Sequence, residues 1–393
     1  MTVLDQLWGL IDKGKNGESI GKSTGMSKLN KIIGGIQPHR YYLISAASSV
    51  GKTSYVLYII YNLLKQETEE APMYFLYFSL EIGADILLAK LMALYCAEEF
   101  GIYLTIDDIL SFQTPINDHA YKCLEKAKEW VEGIMKYLII LDISVSASSL
   151  YKHTLSFAEK VGKFVQAGNT KVYVPNNPKQ LIIGVLDHFA LVRCENGRSL
   201  KAEIDEISSY MVTLKRKLPL SWFVLMQQNR ESSSMERRKA DLSEPGLNDL
   251  KDSGNPSQDA DVVLQLFFPF REKLSTYRGF KVLGDDGIGQ NLRSTIVSKN
   301  RYGIANQVIF NGFWGSVGWF TEIQDPKVSK VTDFSSYRTE RGNIPCKLAQ
   351  EKEDESSVDE ETGEIKQSLT FSFKCLLIYP KIKFRQKHKI QNI

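Results

Sequence analysis

Cysteine and histidine are scarce in this 393-residue chain, with five of each. Cys96, Cys123, Cys194, Cys346 and Cys375 are widely dispersed, with no C-x-x-C pair and no nearby paired histidines. That excludes the usual zinc spacings and a disulfide framework, and leads us to expect reduced thiols in an intracellular protein. No stretch approaches the roughly 18 consecutive apolar residues of a membrane span. Nor does the N-terminus have the basic start and unbroken apolar core of a secretory signal: Val3, Leu4, Leu7, Trp8, Leu10 and Ile11 are interrupted by Asp5, Gln6 and Asp12. A formal net charge of +3 is too small to speak for a nucleic-acid partner, so that question rests on local clusters of Lys and Arg. The 43% hydrophobic content is ample for a packed core, and the length allows one large α/β domain with appendages or two modest domains.

Against these absences stands one strong local signal. Ala46 to Ser54 reads A-A-S-S-V-G-K-T-S between the apolar runs Tyr41–Ile44 and Tyr55–Ile60, the order of a strand, a loop and a helix. Consecutive backbone N–H groups over Ser48, Ser49, Val50, Gly51, Lys52, Thr53 and Ser54 suit an anion. Gly51 lets the main chain come close, Lys52 supplies charge for the outer phosphates, and the Thr53 hydroxyl suits Mg²⁺. Ala46 stands where the usual pattern has its first glycine. A nucleoside triphosphate is the expected ligand.

Further strands are expected at Met73–Phe78, Leu138–Leu141, Leu181–Leu186, Trp222–Met226 and Val262–Phe268, with helical periodicity between them, as at Ile86–Tyr95 and Ile204–Leu218. Alternation of this kind predicts a mostly parallel sheet whose chemistry gathers at the carboxyl ends of the strands. Glu81 follows the second strand and Asp187 ends the fourth. Asp187 is placed to hold Mg²⁺ through water while Thr53 binds it directly, leaving Glu81 to orient the attacking water. Gln227 ends the next strand, where an amide can sense a γ-phosphate and report to the basic loop after it, which carries Arg230, Arg237, Arg238 and Lys239. A plain solvated loop is the other reading of that segment.

These pieces, in order and spacing, resemble the RecA-fold motor domain of hexameric replicative DNA helicases of the DnaB type, over about Gly21 to Ile323. The motifs that carry the resemblance are T-G-M-S-K-L-N-K-I-I-G-G-I (Thr24–Ile36), the A-A-S-S-V-G-K-T-S loop, F-S-L-E (Phe78–Glu81), L-D-H-F-A-L-V (Leu186–Val192), Q-Q-N-R (Gln227–Arg230), D-L-K-D-S-G (Asp249–Gly254), Q-D-A-D (Gln258–Asp261) and S-K-N-R-Y-G (Ser298–Gly303). The resemblance implies a RecA-like P-loop NTPase that uses ATP and Mg²⁺. It implies Glu81 as general base, Gln227 as γ-phosphate sensor, and Lys299 and Arg301 as a pair inserted into the adjacent subunit's site, with Arg301 the arginine finger. Lys90 stands where the family has an arginine near the nucleotide, and His188 where it has a tyrosine. The implied DNA contacts are the loop from Asn229 to Lys239 and the residues Lys251, Asp252 and Gly254, with lysine at 251 where arginine is common.

The organisation expected is a docking helix over 1–20, a motor over 21–323 and a C-terminal extension over 324–393. The first helix packs either on its own domain or, through the linker Lys13–Gly17, on a neighbouring subunit. In the extension an acidic segment, Glu351–Glu364, precedes a strand-like run, Leu369–Tyr379, and a basic run, Lys381–Lys389, that is either a lysine-protected edge strand or a contact for DNA or a replication partner. With the motor starting so early, the helicases' N-terminal primase-recruiting domain is not expected and a phage or mobile-element source is. The expected function is a hexameric ring helicase moving on single-stranded DNA in the host cytoplasm, with 5′ to 3′ movement implied by the family and a primase or loader as partner. Two rivals stay open: a RecA/RadA-like recombination or repair ATPase that forms filaments, and an ATP-dependent ring that loads or regulates a replisome.

Overall fold

The computed structural model describes residues 2–195, 197–229, 243–250, 255–284 and 287–326. Helix α1 (Val3–Lys15) opens the chain behind a Thr2–Asp5 capping box and exposes Leu4, Leu7, Trp8 and Ile11, an i, i+3, i+4, i+7 stripe. The short α2 (Ser27–Ile33) has its first turn capped from far along the chain, because the Glu322 carboxylate accepts from the Lys28 and Leu29 amides (2.8 and 3.1 Å).

Alternating elements follow: β1 (Tyr41–Ala46), α3 (Lys52–Leu64), β2 (Met73–Ser79), α4 (Ala84–Phe100), α5 (Ile106–Leu110), α6 (Asp118–Ile134), β3 (Leu138–Leu141) and α7 (Ala147–Lys160). A hairpin of β4 (Gly162–Ala167) and β5 (Thr170–Pro175) precedes β6 (Leu181–Asp187), α8 (Leu200–Lys217), β7 (Leu220–Gln227), a one-turn helix Asn255–Asp259 and β8 (Val262–Phe267). A second small hairpin, β9 (Thr276–Tyr277) and β10 (Phe280–Lys281), leads into β11 (Leu292–Asn300), β12 (Gln307–Trp314) and β13 (Trp319–Ile323).

Nine strands form one sheet in the order β13-β12-β11-β8-β1-β7-β6-β2-β3. The six from β8 to β3 are parallel, as expected, and β11 to β13 add an antiparallel flank that the apolar runs did not reveal. Successive residues of a strand point to opposite faces, so a strand covered on both sides must be apolar throughout. In β1, Tyr42 and Ile44 pack towards α3 and α4, while Tyr41 and Leu43 pack towards α7 and α8. Gly184 in β6 is required by a close approach, since a Cβ there would lie 2.3 Å from the ring of the fully buried Trp222 on β7. The outcome is a three-layer arrangement in which β1, β2, β6 and β7 all end at one edge of the sheet.

Candidate active site

The loop after β1 bends back into α3 through two left-handed residues, Ser49 (φ 62°) and Gly51 (φ 105°). Gly51 is needed twice over: its φ disfavours a side chain, and a Cβ would lie 2.9 Å from the Phe313 ring. Ala46, at the missing first glycine, is the buried last residue of β1 and has no positive φ, so the strand tolerates its methyl group. Lys52, Thr53 and Ser54 form the first turn of α3.

The structure brings the sequence-expected acids to this turn. Asp187 ends β6, one strand pairing from Ser79 of β2, and is completely buried. Its Oδ2 accepts hydrogen bonds from Thr53 Oγ1 (2.9 Å) and Tyr77 OH (3.0 Å), whereas its buried Oδ1 has no hydrogen-bond partner among the described residues. Burial raises the Asp187 pKa above the usual carboxylate value, opposed by the Lys52 charge and the two hydroxyl donors. Burial likewise lowers the Lys52 ammonium, opposed by Asp187 and Glu81. A buried carboxylate oxygen without a donor, beside a threonine hydroxyl, fits a small hard cation that takes most of its remaining ligands from phosphates and water.

Glu81 lies just past β2, about half exposed, with Oε2 3.3 Å from His188 Nε2. The Ala190 N–H donates to His188 Nδ1 (3.2 Å), which in the neutral ring leaves the proton on Nε2, the nitrogen nearer Glu81. His188 thus lies against the glutamate, a neighbour that its departure from the tyrosine pattern did not suggest. Gln227 ends β7 in register with Ala46, beside the start of the phosphate loop. Its neighbour Gln228 bridges to Leu250, and the Asn229 N–H donates to the Asp249 carbonyl (2.7 Å), so the roots of the two expected DNA loops meet one residue from Gln227. Arg230, Arg237, Arg238, Lys239, Lys251, Asp252 and Gly254 themselves lie outside the described residues, as does the whole C-terminal extension from 327 on. Lys90 is partly buried on α4, and burial lowers its ammonium without a paired described carboxylate.

Lys299 and Arg301 are not at this edge. Lys299 is the penultimate residue of β11 and Arg301 lies just after it, where the antiparallel register sets Asn300 opposite Val262 at the start of β8. Lys299 Nζ donates to the Ser257 and Gln258 carbonyls (2.9 and 2.6 Å). Arg301 donates to the Gln258 carbonyl (3.0 Å) and to Asp261 Oδ1 (3.2 Å); the buried Asp261 also pairs with Lys215 and accepts the Tyr41 N–H (2.8 Å). Tyr41 opens β1 and Ala46 closes it, so roughly 15 Å of strand separates the two ends.

The sequence pattern described as the DnaB-like helicase C terminal domain matches residues 21–103 and 122–320. The chain belongs to that family. Among curated relatives, it is 25% identical over 311 residues to the replicative DNA helicase DnaB of Buchnera aphidicola subsp. Baizongia pistaciae, covering 77% of this chain and 56% of that protein. It is 28% identical over 269 residues to the replicative DNA helicase DnaB of Helicobacter pylori (strain J99), covering 67% of this chain and 48% of that protein. The chain spans about half the length of the curated relatives it matches. Its fold is similar to a solved ATPase domain, with a TM-score of 0.64 at 19% identity over 82% of this chain and 99% of that one. It is also similar to a DnaB-like replicative helicase described with its interactions with primase, with a TM-score of 0.62 at 19% identity over 82% and 67%.

Residues that sequence reasoning missed are Tyr77, which braces Asp187, and Arg271 and Arg293, which donate to carbonyls of the phosphate loop. None sits in a motif; the only signal for Arg293 is a lone cation within an otherwise strand-like run. Because the Tyr77 hydroxyl lowers the Asp187 pKa, Tyr77→Phe should raise it further, so that Asp187 takes up its proton at a higher pH on acidification. Carboxyl carbon NMR over a pH series checks this, and an Asp187 midpoint that does not move contradicts it.

Proposed function

We propose that this chain is the motor of a replicative DNA helicase that hydrolyses ATP with Mg²⁺ and travels on single-stranded DNA as a hexameric ring, in the cytoplasm. The observation that carries this reading is the division of the sheet. Lys52, Thr53, Asp187 and Glu81 gather at the carboxyl ends of β1, β6 and β2, while Arg301 is held at the far end, beyond reach of its own loop.

In this reading Lys52 meets the outer phosphates, Thr53 and Asp187 hold Mg²⁺, and Glu81 takes the proton of the attacking water. Bound there, Mg²⁺ would neutralise phosphate charge. Arg301 and Lys299 of one copy complete the site of the next, so turnover needs assembly. The apolar stripe on α1 supports docking of residues 1–20 on a neighbouring copy, with 21–323 the motor and 324–393 an extension. Gln227 senses the γ-phosphate, and the shared root at Gln228, Asn229 and Leu250 passes its movement to both channel loops, whose Arg230, Arg237, Arg238, Lys239 and Lys251 hold the DNA backbone with Asp252 and Gly254. A primase or a loader is the proposed partner, in keeping with the structural neighbour described with primase.

A trans arginine finger contributes on the order of 10³ to 10⁵ in rate, about 4 to 7 kcal/mol. Arg301→Ala should therefore bind ATP and assemble while losing nearly all turnover, and Glu81→Gln should behave alike; an assembled Arg301→Ala protein with wild-type turnover counts against the shared site. Electron microscopy with a non-hydrolysable ATP analogue and forked DNA tests the helicase reading as a whole. A ring around one strand is expected, and a filament along the DNA would transfer the chain to the recombinase class.

A further inference from the structure

Two arginines outside every motif reach the phosphate loop. Arg293 on β11 is 5% exposed; its Nε donates to the Val50 carbonyl (2.9 Å) and its Nη1 to the Gln290 and Leu292 carbonyls (2.7 and 2.9 Å). The guanidinium lies 3.3 Å from the Phe268 ring centroid and 4.9 Å from that of Phe313, the ring that also packs against Gly51. Among the described residues no carboxylate pairs with Arg293, and burial lowers its pKa to about 9. The exposed Arg271 donates to the Ser48 carbonyl.

In a planar trans peptide the C=O and the following N–H point in opposite directions, and among the described residues only the Asp187–His188 bond is cis. Holding the Val50 carbonyl towards Arg293 therefore turns the Gly51 N–H the other way, and holding the Ser48 carbonyl towards Arg271 does the same for Ser49. These are the two left-handed residues of the loop, and alternation of this kind makes a backbone nest for an anion. We propose that Arg293 and Arg271 are positioning residues of the nucleotide site, pinning alternate carbonyls so that the Ser49 and Gly51 amides face the phosphate chain, with the unpaired buried charge of Arg293 balanced by the phosphates. This rests on the nucleotide reading above. An unpaired charge in the core is costly alone, so the arrangement makes sense with a polyanion close by.

The test is the affinity of wild type, Arg293→Met, Arg293→Lys and Arg271→Ala for ATP, ADP and AMP, with thermal unfolding of each without nucleotide. Arg293→Met should weaken ATP by about 10- to 100-fold, the scale of one or two lost bonds to a charged group, with a smaller loss for ADP and the smallest for AMP. Arg293→Lys should recover part of the ATP affinity by keeping the charge. Arg271→Ala should weaken ATP more than AMP as well. Without nucleotide, Arg293→Met should melt no lower than wild type, because it removes a buried unpaired charge. An equal loss for all three nucleotides, or wild-type ATP affinity in both Arg293→Met and Arg271→Ala, overturns the proposal. If Arg293→Met does not fold, Arg271→Ala decides alone by the same criterion. A wild-type chain that binds no nucleotide overturns the nucleotide reading itself, and the positioning role with it.

Discussion

Strand direction is the constraint on which everything else here depends. In a parallel sheet every carboxyl end opens at the same edge, so the phosphate loop after β1, Glu81 after β2 and Asp187 at the end of β6 are neighbours although the chain separates them widely. The hydrogen bond from Thr53 to Asp187 is the direct product of that convergence. Among the described residues it leaves the buried Asp187 Oδ1 without a hydrogen-bond partner at the edge where the phosphate loop opens, which fits a cation held between carboxylate and phosphate.

The antiparallel strand β11 obeys the same rule in reverse. It begins beside the phosphate loop, where Arg293 reaches Val50, and ends at the far edge, where Arg301 is fastened to Asp261. The strand and the residue after it therefore place Arg293 and Arg301 at opposite ends of the sheet. The first supports the chain's own loop. The second faces away from it and is held by a buried carboxylate that also anchors Lys215 and the start of β1, so its direction is set by the core. A device built this way has a use when a second copy presents its phosphate loop to that edge.

The parts visible in the sequence and the parts hidden there differ for physical reasons. Strands such as Leu181–Asp187 and Tyr41–Ala46 are buried on both faces, so they read as near-continuous apolar runs, and Asp187 at the end of the first and the phosphate loop after the second stand out. The flank β11 to β13 is less fully buried and its buried positions include polar residues: Thr295 donates to Tyr55, Asn311 to Thr295, and Ser294 bonds Tyr277, which breaks the apolar pattern that marks a strand. The β4–β5 hairpin escapes notice because Lys163, Val172 and Val174 are exposed and Tyr173 is its one buried residue besides Gly162. Arg293 reads as a surface residue because nothing local shows that Phe268 and Phe313 enclose it. His188 stands out in the sequence as a departure, but its approach to Glu81 and its bond from the Ala190 amide are contacts that only the folded chain displays.

The central claim is that each site is assembled from two copies of the chain, and mixing two inactive variants tests it most directly. Lys52→Ala lacks the loop cation, Arg301→Ala lacks the far-edge cation, and each alone should be without turnover. Co-assembled, they form some seams in which an intact Lys52 meets an intact Arg301, so ATP hydrolysis should reappear in the mixture. A mixture as inactive as its parts, in assemblies shown to contain both variants, would contradict the account.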